Sequence, residues 1–269
     1  MNTKYIIGII VVLIIIVGAY MVFAGDNSNK ITIVGSTSVQ PVAQSLATAY
    51  MKEHPNVKIE VQGGGTAVGL KSVSDGTAQI GMASEQLTAN ETTGLNNYTL
   101  GQDGIVAIVN NNNTVTGLTS DQLKGIFTGN TTNWSQVGGS NGKIDVIVRE
   151  VGSGTRVAFQ SLILDNASYV GSAIVQTSTG AVEQAVSQDP NSIGFISFAS
   201  LNNKTKALTI NGITCSATTI ANGSYTTQRP FNFLTKGPAT GAALAFINWC
   251  DGPEGQAILN NNSIVRPTS

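Results

Sequence analysis

The 269-residue sequence contains few charged residues, a single histidine and two cysteines. Charged side chains make up 11% of the chain, and 14 basic against 15 acidic residues leave a net charge of −1. A nucleic-acid-binding protein needs a dense basic surface, so we expect no nucleic acid as a partner. One histidine and two cysteines also exclude a zinc finger or a disulfide-dense scaffold, and we expect neither a metal nor another cofactor.

Hydrophobic residues, in contrast, make up 41% of the chain, which excludes a disordered protein. A chain of 269 residues forms one large domain or two of medium size. The surface must owe its polarity to neutral side chains, and the sequence is rich in Asn, Thr, Ser and Gly. Cys215 and Cys250 either pair in an oxidising compartment or remain buried free thiols, because their spacing alone does not show that they are close.

An uncharged apolar segment follows Lys4 and extends over residues 5–24. About 20 apolar residues span a bilayer as a helix, whereas a cleaved signal peptide usually has a shorter apolar region and a small-x-small cleavage site. We therefore expect residues 1–25 to be an uncleaved signal anchor, with a cleaved signal as the alternative, and residues 26–30 to be a linker. The rest of the chain would then lie on the extracytoplasmic face of the membrane, or be periplasmic or secreted after cleavage.

Predicted strands and helices alternate along the rest of the chain. Short apolar runs predict strands at residues 31–34, 57–61, 80–82, 105–109, 144–148, 194–198 and 231–234. Helical patterns separate most of them, and Thr119 with Gln122 has the spacing of a capping box. This alternation predicts an α/β fold with mostly parallel sheets and helices on both faces.

Three turns of small residues each lead into a predicted helix. They contain Ser36, Thr37 and Ser38; Gly65 and Thr66; and Ser153, Gly154 and Thr155. A helix N-terminus presents unpaired backbone N–H groups and a partial positive charge, and glycine lets an anion approach the backbone closely. Arg149 precedes the third turn and has the forked donors that suit an oxyanion. Together the turns predict a site for a small tetrahedral oxyanion.

Other interpretations of these turns are weaker. Each turn taken singly is an ordinary helix cap. The segment from Gly64 to Ser72 nearly fits a nucleotide-binding P-loop, but Leu70 displaces Lys71 by one position. A serine hydrolase would need a G-x-S-x-G elbow and a usable histidine, and His54 before Pro55 is expected at the surface.

A set of motifs in a fixed order resembles one known family. The motifs are GSTSVQP at 35–41, QGGGT at 62–66, GTAQIGMAS at 76–84, DGIVAIVN at 103–110, REVGSGTR at 149–156, GFIS at 194–197, RPF at 229–231 and FINW at 246–249. These residues resemble the phosphate-binding protein of Pst-type ABC importers, and the likeness covers essentially all of residues 31–269.

The resemblance implies a two-lobed periplasmic-binding-protein (type II) fold in which the chain crosses twice between lobes. We expect lobe one at 31–109 plus 198–269 and lobe two at 110–197, with the ligand in the cleft. Matching positions imply that Thr37, Ser38, Thr66, Ser84, Arg149, Ser153, Gly154 and Thr155 bind phosphate.

A carboxylate in the cleft would distinguish phosphate from sulfate. Phosphate keeps a proton at neutral pH and can donate it in a hydrogen bond, whereas sulfate would face an unpaired, repelling charge. The candidates are Asp103, at the start of a buried strand, and Glu85, whose longer side chain we expect in solvent. We place Asp103 in the site.

We therefore expect an anchored extracytoplasmic receptor that captures inorganic phosphate and delivers it to the permease of an ABC importer. We expect it to be a monomer and not an enzyme. The alternatives are a receptor for another tetrahedral oxyanion, such as molybdate, tungstate or sulfate, or a phosphatase-like enzyme on the same scaffold.

Overall fold

A computed structural model describes residues 29–266 of the chain. The predicted signal anchor and most of the predicted linker lie outside the described residues. Within residues 29–266, every helix is too short or too polar to cross a membrane.

The strands, in chain order, are β1 (Lys30–Gly35), β2 (Lys58–Gly63), β3 (Ile80–Ala83), β4 (Leu95–Asn110), β5 (Gly117–Leu118), β6 (Asp145–Arg149), β7 (Ile174–Gln176), β8 (Ser192–Ser197), β9 (Thr205–Ala207), β10 (Thr209–Ile210) and β11 (Gln228–Lys236). The α-helices are α1 (Gln40–Glu53), α2 (Thr66–Ser74), α3 (Ser120–Thr128), α4 (Gly154–Leu164), α5 (Thr179–Gln188), α6 (Ala217–Ala221), α7 (Gly241–Asp251) and α8 (Pro253–Asn261). Short 3₁₀ helices cover Trp134–Val137 and Phe198–Ser200.

One continuous sheet runs through both halves of the molecule in the order β2-β1-β3-β11-β4-β8-β6-β7, and β9 adds to β4. Strand β1 is parallel to β2 and β3, and β6 is parallel to β7 and β8, as strand–helix alternation predicts. The central strands β11 and β4 are antiparallel to each other, and β4 is antiparallel to β8. Because β4 is long, it belongs to both halves.

Two separate hydrophobic cores define the two lobes. One core contains residues from Ile31 to Leu100 and from Phe231 to Ile264, and the other contains residues from Ile105 to Tyr225. The predicted two-lobed α/β architecture is confirmed, with one crossing within β4 and the other just before β11. These cores divide the chain near residues 104 and 227, whereas the sequence predicts boundaries after 109 and 197. The difference arises because β4 continues through the junction and residues 198–225 pack onto its second half.

Local sequence explains where several helices begin. Thr119 accepts from the backbone N–H of Gln122, and the Gln122 side chain accepts from the backbone of Thr119, so the predicted capping box of α3 is present. Ser153 caps α4 by accepting from the backbone N–H of Arg156. Strands β1 and β2 of lobe one and strand β6 of lobe two run in opposite directions and end toward the junction of the lobes, which places the turns that follow them beside one another.

The two cysteines are free and buried. Cys215 lies in the core of lobe two and Cys250 in the core of lobe one. The disulfide alternative is therefore wrong, and the thiols serve as small apolar side chains of two different cores.

Candidate anion-binding site

The three turns meet where the lobes face each other. In lobe one, the backbone N–H groups of Gly64 and Gly65 donate to Gly35 O at 2.8 and 3.0 Å, which joins the first two turns. Across the cleft, the N–H of Ala67 donates to Gly152 O at 3.1 Å. The turns that the sequence singled out thus come from both lobes and form one site.

Ser38 lies at the centre of a hydroxyl cluster in this site, which it forms with Thr37, Thr155 and Thr179. Its Oγ is 2.8 Å from Thr155 Oγ1 and 2.9 Å from Thr179 Oγ1, and both threonines belong to lobe two. Thr37 contacts helix α5. Its Oγ1 lies 3.3 Å from Thr179 Oγ1 and accepts from the Thr179 backbone N–H at 3.2 Å. These contacts across the cleft show the two lobes in a closed arrangement.

A second group of buried hydroxyls lies on the lobe-one side. Ser36 Oγ donates to Ser84 Oγ at 2.8 Å and accepts from the Ser38 backbone N–H at 3.2 Å. Thr66 Oγ1 accepts from the Ser84 backbone N–H at 3.2 Å. Ser36, Thr66 and Ser84 are at most 3% exposed, so these neutral donors lie in a region of low dielectric.

Gly154, the first residue of α4, faces this second group closely. A Cβ atom on Gly154 would lie 2.4 Å from Thr66 Oγ1 and 2.9 Å from Ser84 Oγ, both on the opposite lobe. No side chain fits there while the lobes are closed. The backbone N–H groups at the start of α4 are therefore directed into the cleft without any intervening side chain.

Arg149 supplies a buried positive charge at the end of β6. The side chain is 2% exposed and donates from Nε and Nη2 to the two carboxylate oxygens of Glu150 at 2.9 and 2.8 Å. Its Nη1 donates to Thr179 Oγ1 at 3.3 Å. Glu150 thus fixes the guanidinium in one orientation, and Nη1 is the nitrogen that faces the hydroxyl cluster.

Asp103 is engaged by protein groups at the junction of the lobes. Its Oδ1 accepts from Ser197 Oγ at 2.9 Å and from the Ala199 N–H at 3.1 Å, and its Oδ2 lies 3.2 Å from Arg229 Nη2. Burial raises the pKa of Asp103, whereas Arg229, Ala199 and Ser197 oppose that rise. That Asp103 meets the ligand stays a prediction, and in this structure its carboxylate is engaged by three protein groups at the junction of the lobes.

Glu85, by contrast, is buried beside the site, and the expectation that it lies in solvent is wrong. It is 6% exposed and lines, with Arg229, a pocket between lobe one and helix α4. Burial, reinforced by the negative charge of Glu91, raises the pKa of Glu85 to about 7, although Arg229 opposes the rise.

Two residues near the site were missed by the sequence analysis. Thr179 follows the run Thr177-Ser178 and precedes Gly180, which repeats the strand, small residue and helix pattern of the three chosen turns. Arg229 appeared only within a family motif, although a lone arginine at the start of an apolar strand is a signal of a buried ion pair. Thr155 Oγ1 accepts from Arg229 Nη2 at 3.1 Å, so Arg229 adjoins the hydroxyl cluster.

Comparisons with known proteins find relatives that match most of the chain. Residues 24–252 match the family model of the PBP superfamily domain. The phosphate-binding protein PstS of Bacillus subtilis is 34% identical over 226 residues, which cover 82% of this chain and 75% of that protein. PstS of Borreliella burgdorferi is 27% identical over 253 residues, which cover 89% of this chain and 91% of that protein.

Solved structures show the same fold. A substrate-binding protein from Clostridium perfringens, solved with bound phosphate, has a TM-score of 0.85 and 34% identity, with 89% of this chain and 100% of that chain covered. An ABC-type phosphate transport receptor from Vibrio cholerae has a TM-score of 0.73 and 34% identity, with 88% and 100% covered.

Proposed function

This chain belongs to the PBP superfamily and, within it, to the PstS family of phosphate-binding proteins, and from that membership we propose that it captures inorganic phosphate between its lobes for an ABC importer. Its relatives are transport receptors, and the protein is a receptor and not an enzyme. The ligand-binding group comprises Ser36, Thr37, Ser38, Gly65, Thr66, Ser84, Arg149, Ser153, Gly154 and Thr155.

One observation carries this function, namely a buried arginine that faces neutral donors where two lobes meet. Arg149 is 2% exposed, and its Nη1 contacts the hydroxyl cluster around Ser38 and Thr179. The N-terminus of α4 adds backbone N–H groups beside Gly154. An oxyanion needs many donors and a compensating cation when it leaves water, and this arrangement supplies both.

Glu85, rather than Asp103, is the group that we propose receives the proton of bound phosphate. Asp103 already accepts from Ser197 and Ala199 and pairs with Arg229, whereas Glu85 directly follows Ser84 in the chain and lines a pocket together with Arg229. With a pKa of about 7, Glu85 shares one proton with phosphate: either group donates it, and one hydrogen bond forms in both cases. Sulfate brings no proton, so it binds only when Glu85 is protonated.

The test of this assignment compares two isosteric variants by calorimetry at pH 8. Glu85→Gln supplies an amide that donates to either anion, so the phosphate-to-sulfate affinity ratio should fall at least tenfold. Asp103→Asn should change both affinities in parallel and leave the ratio within twofold. If the phosphate-to-sulfate affinity ratio falls in Asp103→Asn and not in Glu85→Gln, Asp103 is the group that receives the phosphate proton.

Capture by closure explains how a receptor can hold and then release its ligand. The contacts from Ser38 and Ala67 to lobe two exist only when the lobes are together, and a hinge at the two crossings lets them separate. A ligand that forms hydrogen bonds with both lobes favours the closed form. The permease of the importer receives the anion when the lobes open.

Membrane anchorage and a monomeric state are further parts of the proposal. The apolar segment 5–24 supports an anchor that holds the lobes on the extracytoplasmic face, with a cleaved signal as the alternative. Protease added to intact cells should digest a tag placed after Ser269 while the protein remains in the membrane fraction. Recovery of the protein in the medium without residues 1–24 would show cleavage instead.

The experiment that tests the ligand class is calorimetry with phosphate, arsenate, sulfate and molybdate. We expect saturable binding of phosphate and of arsenate, because both are tetrahedral anions that carry the same charge and keep a proton near neutral pH. Sulfate should bind about tenfold more weakly than phosphate at pH 8, because a carboxyl with a pKa of about 7 is protonated in only about one tenth of the molecules at that pH. Tightest binding of molybdate or sulfate would favour the receptor for another tetrahedral oxyanion.

A further inference from the structure

The guanidinium of Arg229, a residue of lobe one, contacts helix α4 of lobe two. Arg229 stands near the start of β11, just after the second crossing, in register with Asp103 of β4. Its Nη2 lies 3.2 Å from Asp103 Oδ2 and donates to Thr155 Oγ1 at 3.1 Å. The Thr155 hydroxyl in turn lies 2.8 Å from Ser38 Oγ. Arg229 therefore connects the hinge to the hydroxyl cluster that surrounds the site.

This guanidinium has donors that the protein leaves unused. Among residues 29–266, no group accepts a hydrogen bond from Arg229 Nε or Nη1, although the side chain is only 2% exposed. Asp103 Oδ1 is already occupied by Ser197 and Ala199. Unpaired donors on a buried cation cost free energy, so native proteins rarely retain them unless a bound molecule accepts from them.

The same region holds two positive charges that act on each other. Burial lowers the pKa of Arg229 to about 10, the charge of Arg149 adds to that effect, and the carboxyl groups of Asp103 and Glu85 oppose it. Arg229 therefore remains charged at neutral pH. An anion that touches both guanidinium groups removes their repulsion, which is strong in a region of low dielectric.

We propose that Arg229 is a second cationic ligand of the anion site, contributed by lobe one and positioned by Asp103, so that phosphate is held by one arginine from each lobe. The inference rests on the proposed function and extends it. Arg149 binds from lobe two, Arg229 binds from lobe one, and the anion between them joins the lobes. Asp103 is then a positioning residue, because it acts on the ligand through Arg229.

Calorimetry with phosphate on three variants of the full chain tests this assignment. Arg229→Gln should lower phosphate affinity at least tenfold. Arg229→Lys keeps the charge without the fork that serves Asp103 and Thr155 together, so it should bind between threefold and tenfold more weakly than the wild type. The double variant Asp103→Asn/Arg229→Gln removes both buried charges, so it should melt near the wild-type temperature and still bind at least tenfold more weakly.

The double variant separates a ligand from a structural residue. If Arg229 only stabilised the fold, replacing both partners would restore stability and affinity together, and wild-type affinity in that variant overturns the inference. Wild-type affinity in folded Arg229→Lys overturns it as well. Arg266→Gln is the matched control, since it removes an ion pair with Asp251 at the surface of lobe one and should leave affinity unchanged. A wild-type protein that does not bind phosphate refutes the proposed function itself, whereas wild-type binding with unaffected Arg229 variants refutes this inference alone.

Discussion

Replacing Gly154 by alanine should block closure of the lobes without harming the fold. The added Cβ would lie 2.4 Å from Thr66 Oγ1 and 2.9 Å from Ser84 Oγ. A relaxed contact needs roughly 3.5 Å, so the lobes must part by about 1 Å at this point. Thr66 cannot turn away, because its Oγ1 accepts from the Ser84 N–H and its side chain is fully buried.

This steric contact raises the free energy of the closed form and leaves the open form unaffected. Overpacking by one methyl group costs about 1–3 kcal/mol, which corresponds to a fall in phosphate affinity of about 5- to 150-fold. The open form has no such clash, because Thr66 and Ser84 belong to lobe one and Gly154 to lobe two. Alanine is also a better helix former than glycine, so the melting temperature of the unliganded protein should stay the same or rise.

Titration calorimetry and thermal melting of the unliganded protein measure the two effects separately. Gly180→Ala is the matched control, since Gly180 lies in the first turn of α5 and, within residues 29–266, its added Cβ meets no atom within 4 Å. Its phosphate affinity should match the wild type. Wild-type affinity in Gly154→Ala would show that the start of α4 does not approach lobe one when ligand binds, and the closure argument would be refuted.

Two further predictions concern charge. Arg149→Ala removes the cation that faces the hydroxyl cluster, so phosphate binding should weaken by at least ~2 kcal/mol in calorimetry; unchanged affinity in a folded variant would remove Arg149 from the site. Glu85 has a folded pKa of about 7 against 4.5 for the free side chain, so the folded protein holds an extra proton between these values. The stability of the unliganded protein should therefore fall as pH rises from 5 to 8, by up to about 3 kcal/mol more in the wild type than in Glu85→Gln. Parallel urea-unfolding profiles for the two proteins across that pH range would contradict the burial of this carboxyl.

The features predicted well from sequence are those that local patterns encode. The turn at Ser153 to Thr155 combines a capping serine, a glycine that begins helix α4 and a preceding arginine, and all of these are close in the chain. In strand β6, Val146, Ile147 and Val148 form an apolar run and all three are buried, because strands of a parallel sheet are covered on both faces. Such signals need no knowledge of distant partners.

The roles of the two carboxylates depend on distant partners and could not be predicted in the same way. Asp103 is held at the hinge because the register of β4 with β11 places Arg229 opposite it. Glu85 is buried because helix α4 of the other lobe covers the pocket that it lines. Neither the register nor the lobe packing is visible from the residues that flank these two positions.

Crystals of the protein grown with arsenate would test most directly whether a tetrahedral anion is captured between the lobes, because the anomalous signal of arsenic fixes its position. We predict a single strong peak in the cleft, with anion oxygens within about 3 Å of Arg149 Nη1 and of the Gly154 backbone N–H. A peak away from α4 and Arg149, or crystals that contain no bound arsenate at saturating concentration, would contradict the proposed function.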